Sequence, residues 1–224
     1  MSDQNSAINT NFHLERMILF SDAVFAIAIT LLVIDIRVPE LHDHITDKAI
    51  LASLAPLVLK FIGFILSFFL IALFWTVHHR IFTFVETYTP RLLWLNLLYL
   101  FSIILMPFSS SLYGEYFGDI QFLVPYTVYV LNICLIGVTN FMLLRYIGNP
   151  KNNIANKALT PEILRVGMLR TVISPAVFFI SLLFTFLTPA NIWFAIIARF
   201  FPVFIPLAMR LSRLGAKKLP ATER

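Results

Sequence analysis

A chain of 224 residues that is 59% hydrophobic, carries 23 Phe and is only 13% charged is far from a soluble domain, in which about 25% of residues are charged. Its formal charge of +5 would suit nucleic acid in a soluble protein. Here the basic residues flank hydrophobic segments, so topology explains them and a nucleic-acid role is excluded. The expected fold class is all-α, a polytopic membrane protein with one integral domain over residues 1–224 and no room for a separate catalytic module.

Residues 1–13 form a polar start without the basic region and small-residue cleavage site of a signal peptide, so the first span should be retained as a helix. That span runs from Met17 to Ile36 and is stopped by Arg37 and Pro39. Leu41 to Ala55 reads as a short interfacial helix, with Asp47 as its candidate cap. The second span covers Pro56 to His78, the third Leu92 to Leu112 and the fourth Phe122 to Leu144. After an exposed loop from Gly148 to Pro161 come a fifth span, Met168 to Leu187, and a sixth, Ile192 to Leu211. Residues 212–224 make a basic tail. No internal repeat is visible, which gives no support to an inverted-repeat transporter.

Basic residues fix the expected orientation. With the N-terminus cytoplasmic, that side holds Arg16, Arg80, Arg91, Arg145, Lys151, Lys157, Arg165, Arg170 and the tail, against only Arg37 and Lys48 outside. Both termini are therefore expected in the cytoplasm of a multi-pass cell-membrane protein. Lys60 and Arg199 lie inside their spans, close enough to the outer face to snorkel or to meet a neighbouring subunit.

Asp22 stands about 8 Å along the first span, where an ionisable group costs about 3 kcal/mol to insert. It could be a polar clamp between helices or carry function, and the residue alone does not decide. In this topology Trp75, His78, His79 and Arg80 return to the same membrane face, and Arg91, Trp94 and Asn96 leave from it. Asp22 could accept from an indole, an imidazole or the Asn96 amide, locking three helices in register, while Arg16 is better placed to pair across to a neighbour.

Above Asp22, Ile27, Thr30, Leu31 and Ile34 share one helical stripe at i, i+3, i+4 and i+7. Brought to a common axis by several subunits, they would form aliphatic rings with one hydroxyl layer. Such rings gate by dewetting, although apolar residues at helical spacing are most often plain packing. The adjacent His78 and His79 point apart on a helix and have no acidic partner at i+4, so no metal site or cofactor is expected. Cys134 stands alone, which excludes a disulfide framework.

The segment Arg16-Met-Ile-Leu-Phe20-Ser21-Asp22 resembles the R-x-x-x-F-S-D signature of the transmembrane protein 175 potassium channels in their single-repeat prokaryotic form. Phe74-Trp75-Thr-Val-His78-His79-Arg80-Ile-Phe82, Trp94-Leu-Asn96-Leu, Pro107-Phe108 and Gly114-Glu115-Tyr116 resemble the same family in the same order. The likeness covers the first half by motif and the second only by hydropathy and span count. It implies a homotetramer of six-span subunits in the lipid bilayer, with a potassium pore lined by the first helix and no re-entrant filter loop. By position, Ile27 corresponds to the hydrophobic constriction, Thr30 to a pore-facing hydroxyl, and Leu31 and Ile34 to further aliphatic rings. Arg16, Phe20, Ser21 and Asp22 carry the signature, with Trp75, His78 and Asn96 as its hydrogen-bonding partners.

The expected function is passive cation leak of modest potassium preference, not catalysis. The run Ser109-Ser110-Ser111 has no neighbouring base to make it a nucleophile. The alternatives are a proton-coupled transporter that uses Asp22 and His78 as a relay, or a proton-conducting channel.

Overall fold

The computed structural model describes residues 2–34, 36–39, 46–55, 57–116 and 122–187. The expected sixth span, Arg199, the prolines at 202 and 206 and the basic tail lie outside the described residues, as do the acidic residues at 35, 40, 43 and 119. Within them the fold is helical, apart from one isolated antiparallel bridge between Val85 and Ala155.

α1 (Ser2–Ile34) starts well before the apolar run and contains the span Phe12–Ile34. The polar residues ahead of Met17 thus continue the helix, an extension that hydropathy cannot see. α2 (Asp47–Leu54) is a short helix over the second half of the range expected to form one, but its cap is Thr46, whose hydroxyl oxygen accepts from the Ala49 N–H at 3.2 Å. Asp47 instead sits in the first turn, where its charge complements the helix dipole. α3 (Leu57–Phe82) supplies the second span and runs past His78 until the turn at Thr83 and Phe84.

The third span is built from two helices. α4 (Pro90–Ile104) begins with Pro90 after Thr89, which accepts from the Leu92 N–H at 3.1 Å. α5 (Met106–Glu115) follows a single turn residue, Leu105, and has Pro107 in its first turn. A proline has no N–H to give the preceding turn, which accounts for the break. α6 (Leu123–Ile147) is the fourth span, and α7 (Pro161–Leu187) the fifth. α7 opens seven residues before the expected Met168 because Thr160 caps it, accepting from the Ile163 N–H at 3.3 Å. By length and composition, five helical segments among the described residues can cross a membrane.

The core lies where α4, α5 and α6 meet α1, α3 and α7. Tyr99, Tyr126, Tyr129, Phe25 and Phe178 are its largest enclosed side chains. α6 and α7 run antiparallel and pack tightly at Gly137, where an added Cβ would fall 2.1 Å from Pro175 Cγ and 2.9 Å from the Thr171 carbonyl oxygen. At Gly148 the nearest atom is the flexible Leu164 Cδ2, at 2.2 Å. Gly137→Ala is therefore expected to cost about 1–3 kcal/mol of overpacking strain, and Gly148→Ala less, because Leu164 can change rotamer. Thermal unfolding of both variants in detergent checks the order; equal melting would contradict the close contact at Pro175.

Candidate functional site

α1 has two faces of opposite character. Leu14, Met17, Ser21, Phe25, Ala28 and Leu32 are buried against the rest of the subunit. Arg16, Phe20, Ala23, Ile27, Thr30, Leu31 and Ile34 are exposed on the single chain, Ile27 at 57% and Ile34 at 67%. The stripe read from sequence is thus the face that this subunit leaves uncovered. Thr30 donates its hydroxyl proton to the Ile27 carbonyl at 2.9 Å, which leaves its oxygen lone pairs directed away from its own helix bond.

The buried face holds a three-helix polar node. Asn96 Nδ2 on α4 donates to Ser21 Oγ at 2.8 Å, and Ser21 in turn donates to the Met17 carbonyl at 2.8 Å. Asn96 Oδ1 lies 2.8 Å from His78 Nε2 on α3, so that nitrogen carries the proton and donates. His78 is stacked between Phe82 and Tyr99, with ring centroids 4.3 and 5.5 Å away. The Tyr99 hydroxyl donates to the Phe74 carbonyl at 3.3 Å. Ser21 and Asn96 are wholly buried.

Asp22 sits at the flank of this node. It is half-buried and accepts from the Trp75 indole N–H at 2.9 Å. Of the three donors its depth offered, the indole is the one it takes, and Ser21 beside it occupies the centre. Asp22 follows Ser21 by about 100° of helix rotation, so only one of the two can face the α3–α4 groove squarely. Trp75 also packs on His79, ring centroids 5.4 Å apart, so the two histidines diverge as their adjacency requires. Trp94 is exposed and takes no part. Arg16 lies with its guanidinium 5.5 Å over the Phe12 ring, and Phe20 is exposed. Among the described residues no three His, Cys, Asp or Glu side chains come together as metal ligands would.

Lys60 meets an acid within its own subunit: its ammonium donates to Glu115 at the end of α5. Both residues are partly solvent-exposed, so the bond is a peripheral latch between α3 and α5.

Sequence reading missed a polar spine along the third span. Ser110 lies 2.6 Å from Ser67 on α3, which lies 3.1 Å from the Tyr129 hydroxyl on α6. The Asn132 amide is 3.0 Å from both the Ser109 hydroxyl and the Ser102 carbonyl, and Ser102 lies 3.1 Å from Thr139. Asn96, Tyr99 and Ser102 recur at three-residue spacing, a signal that polar residues of a span share an inward face. This spine joins α4 and α5 to two neighbours, α3 and α6.

Apolar spans around a saturated polar node, with one bare aliphatic stripe on the first helix, define a multi-pass helical membrane protein. Residues 16–107, the stretch that carries the node and the stripe, match the family model described as the endosomal/lysosomal potassium channel TMEM175. The chain is 34% identical over 148 residues to a potassium channel of Chamaesiphon minutus, a match that covers 66% of this chain and 72% of that one. It is 36% identical over 99 residues to a potassium channel of Chryseobacterium sp., covering 44% of this chain and 48% of that one. A crystal structure of a lysosomal potassium-selective channel TMEM175 homolog from Chamaesiphon minutus superposes with a TM-score of 0.70 at 26% identity, covering 88% of this chain and 98% of the other. The chain belongs to the TMEM175 family of potassium channels.

Proposed function

We propose that the chain conducts potassium passively across the cell membrane as a homotetramer whose pore is lined by α1. The observation that carries this reading is the width of the uncovered surface on α1. At 100° per residue, Arg16, Phe20, Ala23, Ile27, Thr30 and Ile34 fall on one line, and Leu19, Ala26 and Val33 on a second about 80° round the helix. All nine are exposed on the single chain. Four parallel helices around an axis each meet two neighbours in directions about 90° apart, with the pore between them. A helix built for that arrangement needs two adjacent bare seams. Uncovered apolar side chains occur on α3 and α7 too, where lipid can cover them; on α1 the bare seams coincide with the positions that the family likeness assigns to the pore.

Around such an axis Ile27 and Ile34 form aliphatic rings, and Thr30 places an oxygen layer between them. The Ile27 ring, closed, excludes water and stops ions; a small rotation of α1 wets it. The node of Ser21, Asn96 and His78 acts only by position, holding α1 at one rotation against α3 and α4. Selectivity is modest because no carbonyl cage replaces the whole hydration shell of the ion. Both termini lie in the cytoplasm on this reading, as the distribution of basic residues requires.

Two measurements test it together. The mass of the detergent-purified complex is expected at four chains. Liposomes loaded with potassium are expected to release it without any coupled substrate, with valinomycin as the positive control. A monomer, or flux of protons with none of potassium, would overturn the proposal.

A further inference from the structure

Both amide atoms of Asn140 on α6 lie buried and have no hydrogen-bond partner among the described residues, and the same holds for the hydroxyl of Ser174 on α7. Asn140 is 1% exposed and Ser174 is fully enclosed. A bare amide in the hydrocarbon layer is among the costliest arrangements a helix bundle can hold, so these atoms call for a partner.

Each lies on the side of its helix turned toward the α6–α7 seam. Asn140 lies between Gly137, which abuts Pro175 and Thr171, and Leu144, which contacts Gly167, so its side of α6 is the one turned to α7. Ser174 shares a stripe of α7 with Ser181, whose hydroxyl pairs with Tyr126 on α6. Side chains lean toward the N-terminus of their own helix, and in an antiparallel pair the two therefore lean toward each other. A third polar atom lies beside them. Pro175 has no N–H, so the Thr171 carbonyl loses its i+4 donor within the same turn.

We propose that this seam holds bound water, one or two molecules bridging Asn140, Ser174 and the Thr171 carbonyl. The mix of groups selects the ligand. Asn140 offers one acceptor and one donor, Thr171 a second acceptor and Ser174 either, which is the two-to-four-partner environment that a buried water takes. A cation is disfavoured by the guanidinium of Arg170, one helical turn below Ser174. An anion is disfavoured by the carbonyl and the amide oxygen. The water would let α7 flex at Pro175 without stripping Asn140 of partners, because a bridging water can follow small shifts that a direct bond cannot.

X-ray radiolysis of the detergent-solubilised full chain, read by mass spectrometry, tests the site. Bound water generates hydroxyl radicals in place, so the enclosed Leu144 and Phe178 at the seam are expected to oxidise, while the equally enclosed Leu100 does not. Asn140→Leu is expected to reduce the Leu144 and Phe178 products several-fold, and Ser174→Ala to reduce them less. Wild-type protein in which Leu144 and Phe178 stay as unmodified as Leu100 would overturn the proposal, whatever the variants do. So would products that persist undiminished in Asn140→Leu, or that vanish when chloride is exchanged for gluconate, the mark of a bound anion.

Discussion

Replacing Ile27 with Asn is expected to raise single-channel conductance several-fold in a planar bilayer and to narrow the gap between potassium and sodium currents. In the proposed pore, four branched aliphatics at a constriction could not hydrogen-bond, so a water column there would be unstable and the path would close by dewetting. Four amides would hold water in place and, being smaller than isoleucine, would also widen the ring, and a wet constriction lets both ions keep more of their hydration shells. On that proposal discrimination would fall, because it would rest on partial dehydration at the Ile27 ring. The position suits the test, since Ile27 is exposed on the subunit and makes no contribution to its core. Currents identical to wild type would remove Ile27 from the pore.

Asn96→Leu is expected to abolish assembly. Asn96 is wholly buried, and its one amide serves helices on either side, donating to Ser21 and accepting from His78. Leucine has the same branching but larger methyl groups, and it leaves an imidazole N–H and a serine oxygen unmet, at about 1–3 kcal/mol for each. Domains are stable by only about 5–15 kcal/mol, so that loss is decisive for a helix that must also present its outer face accurately. Size-exclusion profiles in detergent should lose the oligomer peak. Asp22→Asn should keep it, because an amide oxygen can still accept from the Trp75 indole. A tetrameric, normally melting Asn96→Leu protein would show that α1 is placed by its apolar contacts alone.

The outward stripe of α1 was legible because helical periodicity reports a face whatever lies opposite it. The depth of Asp22 correctly drew Trp75, His78 and Asn96 into one neighbourhood. Depth carries no rotational information, and so the sequence could not show that Ser21 takes the centre and Asp22 the edge. The Lys60–Glu115 pair bridges 55 positions, and no local pattern points to it. Hydropathy placed the third span but hid its division at Leu105, and it treated Ser102, Ser109 and Ser110 as tolerated exceptions within an apolar run. Their three-helix connectivity depends on Ser67, Tyr129, Asn132 and Thr139, each of which is unremarkable alone. The helix starts at Thr46 and Thr160 were readable from capping chemistry, which hydropathy overrides when spans are drawn.

The bridge between Val85 and Ala155 ties the turn after α3 to the loop before α7. Backbone bonds from Glu86 and Thr87 to the Ile154 carbonyl, and from Asn156 to the Phe84 carbonyl, make it more than a touch. Pulling on either segment therefore tugs the other. A binder that grips residues 150–157 would exert leverage on the end of α3 and, through the bond from Trp75 to Asp22, on α1, without touching that helix.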